Sequence, residues 1–221
     1  MKKNIKGRKI CIICEGDEER DYIKALLNKN VFSTKYSFTE PINAKSINNI
    51  FNRYTDRYQS NSYDLVLIFC DTDKGPSDAY KNLKRKINDF HDANVADDIV
   101  IFGNPCTMQI IISHFADKKL TSQSKHINSK YIEDYTHIKN YDASETKRKE
   151  LFGLIKRSNY EIMKKNIRKL STNDADISST NFLKFIEKFE NNDDNWINEI
   201  NNRLWWCIYY YTIQCLISNV F

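Results

Sequence analysis

Two acidic clusters in this chain could do chemistry. Glu15-Gly16-Asp17-Glu18-Glu19 follows the apolar run Lys9-Ile10-Cys11-Ile12-Ile13-Cys14, and Asp71-Thr72-Asp73 follows Asp64-Leu65-Val66-Leu67-Ile68-Phe69-Cys70. Carboxylates delivered together by neighbouring strands make a hard-oxygen site suited to Mg²⁺ or Mn²⁺. The reaction that needs such a site is phosphoryl transfer, in which divalent ions hold the scissile phosphate, activate water and neutralise the leaving oxygen. A carboxylate left over can act as general base. Capping and helix-dipole roles account for Asp17, Glu18 or Asp73 taken singly. They account less well for Glu15 and Asp71 together, because unpaired carboxylates at one sheet end repel each other without a cation.

The elements that must position these residues are legible as an α/β pattern. Four strands are expected at Lys9–Cys14, Tyr36–Ile42, Asp64–Cys70 and Asp98–Phe102, with Pro41 weakening the second. Between them run three helical stripes: Tyr22, Ile23, Leu26 and Leu27; Ile47, Ile50, Phe51, Tyr54 and Tyr58 after Ser46; and Tyr80, Leu83, Ile87 and Phe90 after Ser77. Alternation of this kind predicts a parallel sheet of about four strands flanked by helices. In such a sheet, ligands bind beyond the carboxyl ends of the strands, where strand order reverses. Gly16 suits a tight strand-to-helix turn with close backbone approach. After Gly103-Asn104-Pro105 only helices are expected, with loops near Thr121–His126, Asn140–Ser144 and Ser171–Thr180. The expected division is an α/β domain over residues 1–105 and a helical extension over 106–221.

Composition bounds the rest. The chain has 221 residues, 41% of them hydrophobic, and six Cys, enough for a full core without disulfide staples. The 34 Lys and Arg stand against 29 Asp and Glu, too even for a purely electrostatic nucleic-acid coat, so a polyanion must meet a local patch. Ten basic and four acidic residues lie between Lys139 and Lys169, and three basic and seven acidic between Leu170 and Arg203. The apolar run after the basic amino terminus is too short for a signal peptide, so a cytoplasmic setting with free thiols is expected, and Cys11 and Cys14 are read as strand residues. The uncharged tail from Leu204 to Phe221 is too polar and aromatic for a membrane span. Trp205, Ile208, Thr212, Cys215 and Leu216 recur at helical spacing, which suits a buried helix or a homo-oligomer contact.

Glu15-Gly16 with Glu19 after the first strand, followed later by a hydrophobic strand and Asp71-x-Asp73, resembles the Toprim fold of topoisomerases, primases, recombination proteins and OLD-type nucleases. Asn104-Pro105-Cys106 with His114-Phe115 is similar to a segment of RloB-like proteins, small Toprim proteins often encoded in bacterial anti-phage loci. The resemblance covers roughly Lys9 to Phe115. It implies Glu15 as general acid/base or metal carboxylate, Asp71 and Asp73 as catalytic metal ligands, and Glu19 as a second-metal ligand. It further implies nuclease activity in defence and an ATPase partner subunit of the AAA/ABC type. Where RloB-like proteins have Glu after the Asn-Pro-Cys-Phe run, this chain has Met108; Gln109 and His114 are candidate substitutes.

The leading expectation is therefore a Mg²⁺- or Mn²⁺-dependent nuclease acting on DNA or RNA. Its substrate residues are expected to be Lys74, Lys81, Lys84, Arg85, Asn104 and His114 near the acidic site, with Lys164, Lys165, Arg168 and Lys169 in the helical half. The alternative is a degenerate Toprim module that binds nucleic acid or an ATPase without cutting. A nucleotide-sugar transferase and a phosphatase using Asp71-x-Asp73 fit less well: the Glu15-Gly16 turn is foreign to the first, and the second would place its motif on the first strand.

Overall fold

Uncharged runs of five or six apolar residues must be covered on both faces, and Ile10–Cys14 and Leu65–Cys70 become the centre of the sheet. The computed structural model describes residues 7–73 and 75–204, Lys125 by its backbone alone. Lys74 and the tail stripe from Trp205 to Leu216 lie outside the described residues. The elements in chain order are β1 (Arg8–Cys14), α1 (Asp17–Leu27), β2 (Tyr36–Phe38), β3 (Ile42–Asn43), α2 (Ile47–Gln59), β4 (Leu65–Asp71), α3 (Asp78–His91), α4 (Ala96–Ile99) and β5 (Val100–Asn104). They continue with α5 (Met108–Ile112), α6 (Lys125–Thr136), α7 (Glu145–Leu154), α8 (Arg157–Ile167), β6 (Ser179–Thr180) and α9 (Phe182–Glu190).

The sheet is mixed and mostly parallel, in the order β2-β1-β4-β5-β6, with β3 also on β1. Strands β1, β4 and β5 run parallel, with Cys14 opposite Phe69 and Asp71 opposite Gly103. The chain builds outward from β1 to β2 and β3 on one side, then crosses to β4 on the other. The switch point thus falls between β1 and β4, the strands that end at the two acidic clusters.

Phe182 stacks on Phe69 with centroids 5.6 Å apart, and both pack on Tyr22, which also meets Phe152 and His114. Residues on both sides of position 105 therefore share one hydrophobic cluster. Arg148, 8% exposed, ties α7 to α1 through Asp21 at 2.8 Å.

Three expectations are corrected. The strand expected over Tyr36–Ile42 is two short ones, broken where Pro41 has no N–H to donate. Asp98 and Ile99 end a helical turn, so the fourth run becomes a strand only at Val100. The second half is not all helical, because Ser179–Thr180 pairs antiparallel with β5. There the Asn181 amide accepts from the Phe102 N–H at 2.9 Å and donates to the Val100 carbonyl at 2.7 Å, closing an edge that would otherwise be open.

One glycine is required by close approach. A Cβ at Gly103 would stand 2.8 Å from the Cys106 carbonyl oxygen and 2.9 Å from Thr107 Cα. Gly103→Ala is expected to push the loop to α5 outward and lower stability by about 1–3 kcal/mol, the range for overpacking, which urea unfolding measures. A midpoint equal to that of the parent protein would show that the loop yields freely.

Candidate active site

The site is built at the switch point from four segments. Strand β1 ends in a backbone bond from Glu15 N–H to the Phe69 carbonyl at 3.0 Å, which holds the first acidic cluster against the end of β4. Gly16 stands before the first residue of α1 with φ −136°, an extended conformation open to any residue, so a turn is not why glycine is there. A Cβ would lie 3.1 Å from Glu19 Oε2, and the Gly16 N–H donates to that same oxygen at 3.0 Å. Glycine admits the Glu19 carboxylate.

The Glu15 carboxylate accepts from the Asp71 N–H through Oε2 at 3.2 Å. Asp71 Oδ1 accepts twice from Thr107, from its N–H at 2.6 Å and its hydroxyl at 2.7 Å. Asp73 follows in the left-handed region with φ +61°, a conformation Asp tolerates better than most residues.

The electrostatics are those of crowded negative charge. Glu15 is pushed up to about 7, chiefly by burial; the backbone bond from Asp71 opposes the rise, and the charges of Glu19 and Asp73 add to it. Asp71 is raised well above the carboxylate range by burial, then by Glu19 and Glu15, despite the Thr107 donors. Glu19, 6% exposed, is raised by burial. Carboxylates that raise one another's affinity for protons form a site that a dication would relieve.

Asp71, Asp73 and Glu18 open onto a cavity of about 270 Å³, near the lower end of small-ligand pockets, roughly 300 Å³. Gln123 and Asn128 border it from the α6 region and Tyr141 from the loop before α7. Tyr141 donates to Glu18 at 2.5 Å, so a side chain that the sequence suggests only as a helix-dipole partner is a wall of the site. Glu15 and Glu19 do not border the cavity; they act on it from behind, through hydrogen bonds and charge. Among the described residues, no three His, Cys, Asp or Glu side chains form a ready-made metal cage. Cys106 borders the cavity with its thiol pushed up by burial and Asp71, which makes it a poor nucleophile.

The expected phosphate-binding residues lie elsewhere. None of Lys81, Lys84, Arg85, Lys164, Lys165, Arg168 and Lys169 borders the cavity. Lys84 bridges Asp97 and Asp174, at 2.6 Å each. Lys164 meets Glu190 at 2.6 Å, Arg168 meets Glu187 at 2.6 Å, Lys169 meets Asp117 at 2.5 Å, Arg85 meets Asp89 at 3.1 Å and Lys81 meets Asp78 at 4.0 Å. Lys165 is exposed on α8. Asn104 is buried, donates to the Asp174 carbonyl at 2.8 Å, and leaves Oδ1 without a partner among the described residues.

His114 is a core residue and is withdrawn from the substrate set. It is fully buried, bonds the Tyr22 hydroxyl at 2.8 Å and the Asn159 carbonyl at 3.2 Å, and is lowered to about 3 by burial. Gln109, the other candidate for the missing Glu, is also structural: its amide donates to the Lys118 carbonyl and accepts from the Leu120 N–H. Met108 itself borders the cavity. Cys11 and Cys14 are buried free thiols three apart on a strand, hence on opposite faces.

Sequence reasoning missed Thr107, Tyr141 and Asn128. Compared with known proteins, the chain matches no family model, no curated protein and no solved structure.

Proposed function

We propose that this chain is a Mg²⁺- or Mn²⁺-dependent nuclease that hydrolyses a nucleic-acid phosphodiester. One observation carries the reading. Glu15 and Glu19 after β1, Asp71 at the end of β4 and Asp73 just beyond it meet at the switch point of the sheet closely enough that burial and carboxylate repulsion raise Glu15 and Asp71. All their donor atoms are oxygen, the set that hard divalent cations take. Asp71 and Asp73 would hold the ion at the cavity, with Glu15 and Glu19 supplying charge behind. When bound, it would polarise the phosphate and lower the pKa of water. Thr107 fixes the Asp71 carboxylate by gripping Oδ1 with two donors. Tyr141 holds Glu18 with a single hydroxyl donor to Oε1. Glu15, behind the cavity on the Asp71 N–H and with its proton affinity near neutrality, would set the charge that Asp71 and the ion meet there.

A second reading is favoured by Met108, a thioether bordering the cavity where the resembling family carries Glu. In that reading the module binds nucleic acid or an ATPase partner without cutting. A titration of Mn²⁺ by calorimetry, paired with incubation of plasmid DNA and structured RNA with Mg²⁺ or Mn²⁺, separates the two. The nuclease reading expects saturable Mn²⁺ binding and cleavage stopped by EDTA. Metal binding without cleavage would leave the binding module, and absence of metal binding would remove the metal site altogether.

A further inference from the structure

Helix α6 borders the acidic cavity along one edge and solvent along another. Asn128, 5% exposed, borders the cavity; its amide nitrogen reaches Cys106 Sγ at 3.5 Å, and its Oδ1 has no hydrogen-bond partner among the described residues. Beside it, Ile127, Tyr131 and Tyr135 follow at four-residue spacing and so share one line of the helix. Ile127 and Tyr135 are each 40% exposed. The Tyr131 and Tyr135 rings lie 17° from parallel with centroids 6.4 Å apart, and Lys118 Nζ sits 4.6 Å from the Tyr131 centroid. From Lys118 to Ile132 the chain carries four lysines and no acidic residue. Unlike α3 and α8, this basic stretch reaches the cavity, through Gln123 and Asn128.

We propose that the Ile127–Tyr131–Tyr135 face of α6 is a stacking platform for the bases of single-stranded nucleic acid, placed to lead the strand's backbone to Asp71. This names the substrate class of the same site and rests on reading that site as acting on a phosphodiester. Bases of a single strand expose the faces that tyrosine rings stack on, whereas those of a duplex are already stacked on each other. Lys118 and Lys130 supply phosphate contacts that carry no sequence preference. Asn128 Oδ1 offers an acceptor to a group entering the cavity.

The test measures binding apart from cleavage. Fluorescence anisotropy in EDTA follows a labelled single strand of about twelve nucleotides, within the span of known single-strand sites, and the duplex of the same sequence. The expected result is tighter binding of the single strand. Tyr131→Ala and Tyr135→Ala should each weaken it about tenfold, the scale of one lost base stack, with Tyr131→Phe keeping the affinity. Lys130→Gln, an exposed change, should weaken binding and flatten its salt dependence. Equal or tighter duplex binding, or unchanged affinity in the tyrosine variants, would overturn the platform. Cleavage by the parent protein reports separately: binding of this pattern without cleavage removes the catalytic reading alone, and cleavage with indifferent tyrosine variants removes the platform alone.

Discussion

Replacing Asp71 by Asn is expected to abolish metal-dependent cleavage while making the metal-free protein harder to melt at pH 8. The side chain accepts two donors from Thr107 on one oxygen, and an Asn carbonyl oxygen can keep both bonds. What the substitution removes is the charge, which sits among Glu19 and Glu15 in a buried setting that already disfavours it. Cleavage should fall by at least about 10²–10³-fold, the scale seen when one preorganised electrostatic group is lost. The melting temperature should rise, about 2–4 °C for each kcal/mol in a chain of this size. Asp71→Ala separates charge from hydrogen bonding. It also removes the negative charge but leaves the buried Thr107 donors without an acceptor, at roughly 1–3 kcal/mol, so it should melt below the Asn variant. Full cleavage by Asp71→Asn, or a melting point below that of the parent protein, would sink the assignment of Asp71 as a strained site carboxylate.

What was legible in the sequence follows from how local each signal is. The runs Ile10–Cys14 and Leu65–Cys70 announce buried strands because nothing polar interrupts them, and the carboxylates that follow must emerge at their carboxyl ends. Parallel pairing of the two then places Glu15 beside Asp71 with no further information. Thr107 gives no comparable signal: its role depends on β5 running beside β4 and on Gly103 letting the loop approach, both set by packing. Tyr141 and Asn128 come from segments on the far side of the chain, without a periodic pattern that would aim them at α1 or β4. Ser179–Thr180 is too short and polar to read as a strand, and it becomes one because β5 has an edge to fill.

Charge misled where spacing did not. Lys84 and Lys164 look like phosphate ligands when counted along the chain, yet each is held by carboxylates distant in sequence, Asp174 and Glu190. Counting cations cannot reveal such partners, because ion pairing is a tertiary property. The lysines around α6 were equally visible, and what distinguishes them is that their segment reaches the cavity through Gln123 and Asn128.

The second large effect concerns pH. Glu15 titrates near 4.5 when unfolded and at about 7 in the folded protein. Between those values the native state holds more protons than the unfolded one, so this group's contribution to stability falls as pH rises through the window, and its full cost is present above pH 7. A shift of that size corresponds to on the order of 3 kcal/mol. Glu15→Gln keeps an amide oxygen for the Asp71 N–H and removes the titration. The variant should therefore match the parent protein near pH 4.5 and exceed it increasingly up to pH 8, by about 6–12 °C in melting temperature. The buried histidines act in the opposite sense. His91, lowered to about 4, and His114, lowered to about 3, refuse protons that the unfolded chain accepts below about pH 6.5, so stability falls as pH drops. Both are present in parent and variant alike, so they cancel in the difference between the two melting curves. Mn²⁺ at about 1,000 times its dissociation constant should reverse the order at pH 8, since only the parent retains the full carboxylate set and binding then adds about 4.1 kcal/mol, more than the charge on Glu15 costs. A gap between the two proteins that stays constant from pH 4.5 to pH 8 would refute the raised affinity of Glu15 for protons, and an order unchanged by Mn²⁺ would refute its part in holding the ion.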